Sequence, residues 1–244
     1  MNKLILEIKN VINNSENIIA FTGAGFSAES GISTYRGAGG LWSKYDPSIY
    51  ADINYFMKDS SYYWSFIRDE RYPTLKKVKP NEGHYALVKL EKQVKSLQII
   101  TQNIDGLHQL AGSSNVIELH GNTRQSFCMK CNKNYNMDFV EKLISKNIPP
   151  KCSCGGVLKP STVLFGEPLP QSALDKAKNI SKNCDLFMVL GSSLVVYPAA
   201  SLPRLAKKND AFLLIINIDP TPLDNMADIV INDNISKVLK KLFK

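Results

Sequence analysis

The strongest constraint on the fold is the alternation of short apolar runs with segments of helical spacing. The apolar runs, which we predict to be strands, lie at residues 17–21, 97–101, 116–119, 161–165, 186–190, 211–216 and 229–231. Helical spacing of apolar residues predicts helices at residues 4–13, 50–72, 81–92, 171–180, 198–207 and 236–243. Strands that are apolar along their length are buried on both faces, which is typical of a parallel sheet covered by helices. The sequence therefore predicts an α/β fold.

Glycine and polar residues come directly after several of these predicted strands. Gly23, Gln102, His120, Gly191 and Asn217 each follow such a run. In an open parallel sheet the ligand binds beyond the carboxyl ends of the strands, and those ends share one edge. We therefore expect one functional site along that edge.

The first of these strand ends has the features of a nucleotide-binding turn. Residues 23–27 read Gly-Ala-Gly-Phe-Ser between a predicted strand and a helix start, the order that places phosphate at a helix N-terminus. The third glycine of the dinucleotide fingerprint is missing, and a Gly-x-Gly run alone also suits a simple turn. Residues at two further strand ends can hydrogen-bond a phosphate or a ribose: Gly191, Ser192, Ser193, Asn217 and Asp219. Together they predict a nucleotide site on a Rossmann-type sheet.

Four of the five cysteines fall in two close pairs. Cys128 and Cys131 are separated by two residues, whereas Cys152 and Cys154 are separated by one where two is usual. Zinc prefers four thiolates in a tetrahedron, so the pairs predict a structural zinc ribbon with no open position for water. Two unrelated thiol pairs or redox-active cysteines are the alternatives. Cys184 stands alone beside an apolar run.

The chain has three histidines, and one of them follows a predicted strand. His120 is followed by Gly121, which leaves space beside the ring, and a general base needs such access and a pKa near neutrality. The residues alone leave His120 open between a catalytic and a structural role. His84 and His108 are best explained as structural or surface groups.

Charge and hydropathy limit the partners. Thirty Lys and Arg against 22 Asp and Glu give a net charge of +8, which favours acidic partners or anionic cofactors. The lysines are scattered without interleaved aromatic residues, so we predict no direct nucleic-acid binding. No apolar stretch approaches the roughly 20 residues that span a bilayer, and residues 1–12 carry no cleavage site. We therefore predict a cytoplasmic protein without membrane contact.

A series of motifs, in fixed order, resembles those of the sirtuins, above all their compact prokaryotic members. The motifs are residues 23–32, 35–37, 101–108, 118–121, the four paired cysteines, 163–167 and 191–194. The resemblance covers residues 17–235 and implies a single sirtuin domain over 1–244. It divides the domain into a Rossmann-type NAD-binding lobe (1–45, 80–122 and 160–244) and a small inserted lobe with a helical part (46–79) and the zinc ribbon (123–159).

The resemblance implies an NAD-dependent protein-lysine deacetylase or deacylase that releases nicotinamide, free lysine and O-acyl-ADP-ribose. It makes His120 the general base, assisted by Gln102, Asn103 and Asp105 around the nicotinamide and ribose. The residues implied to bind NAD are Gly23, Ala24, Gly25, Ser27, Ala28, Glu29, Thr34, Tyr35, Arg36, Gln102, Asn103, Ile104, Asp105, His120, Gly191, Ser192, Ser193, Asn217, Ile218, Asp219 and Ile235. Those implied to bind the acylated lysine of a protein or peptide, partly by β-strand addition, are Val163, Phe165, Gly166 and Val195.

Two departures from the family pattern affect the expected specificity. Residues 33–36 read Ser-Thr-Tyr-Arg where the family usually has Pro-Asp-Phe-Arg, so Tyr35 adds a hydroxyl beside the nicotinamide. Sirtuins that remove succinyl or malonyl groups carry a Tyr and an Arg where this chain has Ile67 and Glu70. Glu70 would repel an acyl carboxylate, and we therefore expect neutral acyl groups.

Two other functions compete with deacylation. Protein mono-ADP-ribosylation begins with the same cleavage of NAD, so the sequence does not separate it from deacylation. A non-catalytic zinc-ribbon adaptor is disfavoured because it has no need of His120 or of the polar residues 102–105.

Overall fold

The computed structural model describes residues 2–36 and 39–243; Gly37, part of the motif at 35–37, lies outside the described residues. Six strands form a sheet in the order β3-β2-β1-β7-β8-β9, and every neighbouring pair is parallel. The strands are β1 (Asn17–Thr22), β2 (Ser96–Thr101), β3 (Val116–Glu118), β7 (Leu186–Leu190), β8 (Phe212–Ile216) and β9 (Ile229–Ile231). The predicted α/β fold with a Rossmann-type parallel sheet is confirmed.

Both faces of this sheet are buried, as the continuous apolar runs predict. In β1, Ile18 and Ala20 belong to one core cluster, whereas Ile19 and Phe21 belong to a second cluster on the opposite face. This division follows from the two-residue period of a strand. All five residues of β7 are fully buried, because this strand lies in the middle of the sheet.

Helices cover the two faces and form the small lobe. The described α-helices are Asn2–Asn14, Ala24–Ser27, Pro47–Tyr50, Ile53–Lys58, Ser61–Phe66, Tyr72–Lys77, Glu82–Glu91, Leu107–Ala111, Met137–Ile144, Gln171–Lys182, Leu202–Lys207 and Ile235–Leu242. Short 3-10 turns lie at Ala28–Ser30, Leu41–Ser43, Ala199–Ser201 and Asp224–Met226, and a π-helical turn at Ile67–Arg71. Within the described residues, no helix is both long and apolar enough to cross a membrane.

The segment predicted as one helix over 50–72 is instead broken into several short ones. Asp52 begins a new helix by accepting hydrogen bonds from the amides of Asn54 and Tyr55. Most aromatic side chains of the segment, including the fully buried Trp64, belong to a third core cluster with residues of the zinc ribbon, whereas Tyr62 is exposed.

A second, antiparallel sheet carries the cysteines. It has the order β5-β4-β6, with β4 at Gly121–Cys128, β5 at Asn134–Asn136 and β6 at Leu158–Thr162. The strand predicted at 161–165 was misplaced: β6 ends at Thr162, and only Phe165 beyond it makes a bridge, to Asp52. The chain leaves the sheet there because the Glu167 carboxylate, not a strand, accepts the hydrogen bond of the Leu164 amide (2.8 Å).

Candidate active site

Two glycine-containing loops touch at the carboxyl ends of β1 and β7. The Gly25 amide donates to the Gly191 carbonyl at 2.9 Å. A Cβ on Gly23 would lie 2.7 Å from the Gly191 oxygen, and one on Gly191, whose φ is +68°, would lie 2.4 Å from the Phe26 nitrogen. A side chain is thus excluded at Gly23 and at Gly191, because the two loops pack backbone against backbone at the strand ends, where a phosphate would approach.

Two amide side chains connect the end of β2 to these loops. Gln102 Nε2 donates to Ser192 Oγ at 2.8 Å. Asn103 Nδ2 donates to the Gly23 carbonyl at 2.9 Å and to Ser27 Oγ at 3.1 Å. The structure therefore brings residues predicted from three separate strand ends into one hydrogen-bonded group.

His120 lies beside this group, and its hydrogen bond defines its tautomer. Its Nδ1 lies 2.9 Å from the Gln102 carbonyl oxygen. A carbonyl only accepts hydrogen bonds, so Nδ1 carries the proton and Nε2 keeps a lone pair. Burial lowers the pKa of His120 below its usual value, against the smaller raising effect of the Gln102 carbonyl. A neutral imidazole with Nε2 available as acceptor has the properties of a general base near pH 7.

The turn after His120 depends on glycine. Gly121 has φ +72°, and a Cβ there would lie 1.9 Å from the Ser161 carbonyl oxygen. This close approach begins the pairing of β4 with β6, and it fixes where the His120 backbone leaves the large sheet.

A pocket opens next to Asn103. Six of its lining residues were predicted from sequence: Ala24, Ser27, Tyr35, Asn103, Ile104 and Asp105. Five were missed: Ile32, Ser33, Arg71, Thr74 and Leu75. Ile32 ends the motif at residues 23–32 and Ser33 follows it, but neither was assigned to the site. The other three lie on the small lobe, and no local pattern marks them. Burial raises the pKa of Asp105, and its hydrogen bonds and nearby arginines oppose this.

A row of aromatic rings leads from this pocket to residues 163–166. The Tyr35 and Trp42 ring centroids are 5.1 Å apart, and those of Trp42 and Phe165 are 6.4 Å apart. Val163 donates its amide proton to the His120 carbonyl at 2.9 Å. The segment predicted to hold the substrate is thus connected to the pocket by apolar surface and to His120 by its backbone.

The remaining predicted residues lie around the ends of β7 and β8. Ile235 packs against Gly191, and Asn217 Nδ2 donates to the Asp219 carbonyl at 2.7 Å. The Glu29 carboxylate accepts from the Ser236 amide at 3.4 Å, whereas Thr34 Oγ1 bonds the Arg36 carbonyl within its own turn. Ala28, Ser193, Val195 and Ile218 are exposed, and the Ser193 hydroxyl makes no hydrogen bond with any of the residues that the structure describes.

The four paired cysteines converge. Their sulfurs lie within 4.8 Å of one another, with 3.5 Å between Cys128 and Cys154 and 3.7 Å between Cys131 and Cys152. Zn–S bonds of about 2.3 Å in a tetrahedron place sulfurs about 3.8 Å apart, so the donor set fits zinc. The short second knuckle closes because the Cys152 amide donates to the Gly156 carbonyl at 2.8 Å.

The other cysteine and histidines are structural. Cys184 is buried, which raises its pKa to about 12 and disfavours the reactive thiolate. His108 and His84 are also buried, with ring centroids 4.8 Å apart, and His108 Nε2 lies 2.9 Å from Thr22 Oγ1. These histidines lie beneath the site and have no access to a ligand.

Comparison with known proteins agrees with this geometry. The Sir2 family model matches residues 23–198. An NAD-dependent protein deacetylase of Sulfurisphaera tokodaii is 50% identical over 222 residues, which are 91% of this chain and 87% of the relative. An NAD-dependent protein deacylase 2 of Archaeoglobus fulgidus is 45% identical over 234 residues, 95% of this chain and 92% of the relative.

Solved structures give the same result. A Sir2–p53 peptide–NAD+ complex superimposes with a TM-score of 0.91 at 38% identity, covering 97% of this chain and 95% of that one. A Sir2 protein bound to a propionylated peptide gives a TM-score of 0.89 at 36% identity, covering 98% of this chain and 96% of that one. These similarities, together with the site geometry, show that the chain belongs to the Sir2 family, the sirtuins.

Proposed function

We propose that this protein is an NAD-dependent protein-lysine deacylase with His120 as its general base. The observation that carries the proposal is the position of the neutral imidazole. Its ring is held by Gln102 beside the glycine loops, while its backbone carbonyl holds Val163 in the proposed substrate segment. One residue therefore lies between a nucleotide-binding surface and a peptide-binding surface.

The residues around the glycine loops fit NAD. The backbone at Gly23, Gly25 and Gly191 lies where a pyrophosphate would approach, and Asn103 and Asp105 offer polar groups to the nicotinamide end at the neighbouring pocket. The remaining predicted residues at the ends of β7 and β8 would surround the adenosine. When bound, NAD supplies a ribose carbon that accepts the acyl oxygen of the substrate and releases nicotinamide.

The proton movement is assigned to His120. Its Nε2 takes a proton from a ribose hydroxyl, and the Gln102 carbonyl, which accepts from Nδ1, stabilises the imidazolium that forms. The aromatic row of Tyr35, Trp42 and Phe165 excludes water from the neutral acyl amide.

The substrate is an acylated lysine in an extended segment that pairs with residues 163–166, beside the exposed side chain of Val195. We propose that neutral acyl groups are preferred. Glu70 accepts a hydrogen bond from Tyr45 Oη at 2.6 Å, and this bond is the main cause that raises the Tyr45 pKa to about 12. A carboxylate at this end of the small lobe disfavours succinyl and malonyl groups. A kcat/KM for desuccinylation equal to that for deacetylation would contradict this preference.

The decisive experiment incubates the protein with NAD and an acetyl-lysine peptide and measures O-acetyl-ADP-ribose by mass spectrometry. His120→Ala should lower the rate by about 10²- to 10⁴-fold, the usual contribution of a general base. Gln171→Ala, on an exposed helix start away from the site, serves as control. A His120→Ala rate close to that of the control would overturn the assignment.

The same experiment tests the competing function. A protein mono-ADP-ribosyltransferase would add the mass of ADP-ribose to a protein and form no O-acetyl-ADP-ribose. The deacetylase and deacylase names of the relatives support deacylation instead. A cytoplasmic location and the lack of nucleic-acid binding remain predictions, which cell fractionation and a DNA mobility shift would test.

A further inference from the structure

His108 is a buried histidine to which the proposed chemistry assigns no role. It lies in the helix Leu107–Ala111, shortly after the polar residues 102–105, and 1% of its surface is exposed. The Phe26 ring stacks on its ring with 5.2 Å between the centroids, and the centroid of the His84 ring is 4.8 Å away. Burying a polar group is costly unless the group is hydrogen-bonded, so the contacts of its two nitrogens indicate what the residue does.

The Nε2 atom of His108 begins a chain of hydroxyl hydrogen bonds. It lies 2.9 Å from Thr22 Oγ1 at the end of β1, and Thr22 donates its hydroxyl proton to Thr101 Oγ1 at 2.8 Å. A hydroxyl has one proton, so Thr22 must accept from His108, and Nε2 carries the proton of the neutral ring. Nδ1 is then the unprotonated nitrogen, and it has no hydrogen-bond partner among the residues that the structure describes. Burial is the main cause that lowers the pKa of His108, which keeps the ring neutral near pH 7.

The chain of hydrogen bonds ends at Asn103. The Asn103 amide donates to Thr101 Oγ1 at 3.0 Å, where the backbone leaves β2. Its side chain donates to the Gly23 carbonyl and to Ser27 Oγ, so the direction of the backbone at this point decides whether the side chain reaches the glycine loop. Thr101 Oγ1 thus accepts two protons, which uses both lone pairs of a hydroxyl.

We propose that His108 is a positioning residue for Asn103 and acts through the hydroxyls of Thr22 and Thr101. Its Nε2 proton fixes Thr22 as a donor to Thr101, and this fixes the hydroxyl that holds the Asn103 amide. Without that proton the two hydroxyls are free to turn, and the Asn103 side chain is no longer held at the glycine loop. The inference rests on the proposed function, in which Asn103 assists the cleavage of NAD.

Two substitutions distinguish the nitrogens of the imidazole. The amide nitrogen of glutamine reaches the position of Nε2, whereas that of asparagine reaches only the position of Nδ1. His108→Asn should therefore lower kcat/KM for NAD about three- to tenfold, through the loss of one buried hydrogen bond, and leave the KM for the peptide unchanged. His108→Gln retains a donor to Thr22 and should recover most of this loss.

His84→Asn is the matched control. His84 is also fully buried and packs on the same Phe26 ring, with 4.8 Å between the centroids, but its Nδ1 lies beside Asn81 and not beside the threonine hydroxyls. We expect His84→Asn and His108→Asn both to lower the urea midpoint, and only His108→Asn to lower kcat/KM for NAD. Equal kinetic losses in these two variants, or equal losses in His108→Asn and His108→Gln, would show that His108 only fills space.

NMR tests the hydrogen bonds without reference to activity. The ¹⁵N shifts of His108 should show a protonated Nε2, and the Asn103 side-chain signal, assigned by its loss in Asn103→Ala, should move in His108→Asn and stay in His108→Gln. A protonated Nδ1, or an Asn103 signal that does not respond, would overturn the inference. If His108→Asn does not fold, Thr22→Val replaces it, because it interrupts the same chain at the next hydroxyl and should give the same loss.

Failure of the inference and failure of the proposed function give different results. If the wild-type protein makes O-acetyl-ADP-ribose but His108→Asn matches it in kcat/KM for NAD, this inference alone is refuted. If the wild-type protein makes no such product, the proposed function is refuted, and the tautomer of His108 and the Asn103 signal still decide whether the hydrogen-bond chain exists.

Discussion

Replacing Lys159 with methionine should destabilise the protein and weaken peptide binding. The Lys159 ammonium lies 2.9 Å from Glu167 Oε2 and donates to the Thr162 carbonyl at 2.7 Å. The side chain of Lys159 is 5% exposed and that of Glu167 is 24% exposed. Because Glu167 Oε2 also accepts from the Leu164 amide, this ion pair fixes the segment proposed to bind the substrate.

The magnitude follows from the burial of the two charges. Removing one partner of a buried ion pair costs about 3–5 kcal/mol, chiefly because the other charge is left alone. Glu167 is partly hydrated, so we expect about 2–4 kcal/mol. Methionine has nearly the length of lysine and fills the same space, which limits the loss from packing. For a chain of this size, that change corresponds to a fall in Tm of roughly 4–15 °C.

Two measurements check this prediction. Urea unfolding gives the change in the free energy of unfolding, and deacetylation kinetics should show a raised KM for the peptide with a smaller change in KM for NAD. Lys95→Met is the matched control, since Lys95 pairs with Glu16 while both side chains are more than 60% exposed. The control should cost less than about 1 kcal/mol. If Lys159→Met lowers the free energy of unfolding as little as the control does, and the KM for the peptide is unchanged, the argument is refuted.

Three further predictions concern the metal, pH and backbone. Chelation, or Cys152→Ser, should remove the zinc detected by mass spectrometry and lower the Tm, because the four thiolates lose their common ligand; an unchanged Tm would count against a structural zinc. Burial lowers the pKa of His84 from 6.5 to about 4, and that of His108 in the same direction. The free energy of unfolding should therefore be highest above about pH 6.5, and the protonation of His84 alone should lower it by about 3 kcal/mol as the pH falls to 4. Urea midpoints that stay constant over this pH range would contradict the prediction. Gly121→Ala should lower the free energy of unfolding by more than about 3 kcal/mol, because alanine is strained at positive φ and its Cβ would meet the Ser161 carbonyl oxygen. Gly112 also has positive φ but has open space around it, so Gly112→Ala should lower the free energy of unfolding by only about 1–2 kcal/mol. Thermal unfolding of the two variants measures the difference.

The strands of the large sheet were predictable because each of them coincides with one apolar run in the sequence. β7 and β9 lie where the sequence placed them, and the strand ends carry the predicted glycine and polar residues. The strand at 161–165 was misplaced because Val163, Leu164 and Phe165 are apolar for another reason. They line the region next to the aromatic row, and their backbone is held by Glu167 and by residues 51–53.

The site was predictable only where its residues belong to local motifs. The four cysteines and the glycine loops are of this kind. Arg71 was missed because its partner, Tyr35, is 36 positions away in the chain and the pocket between them exists only in the folded protein. The tautomer of His120 was also not predictable, since it depends on a backbone carbonyl of another strand.

The connection between the two sheets explains why His120, the proposed general base, lies where it does. β3 is an edge strand of the parallel sheet, β4 is the central strand of the zinc-bearing sheet, and only Leu119 and His120 separate them. The ring of His120 is fixed by Gln102 of the large lobe, whereas its carbonyl receives the amide of Val163, next to β6 of the small sheet. Any displacement of the small sheet relative to the large one therefore strains the hydrogen bonds of this residue. His120 is held in place by the same contacts that hold the two proposed binding surfaces together, so we expect catalysis to depend on the integrity of the cysteine-bearing sheet.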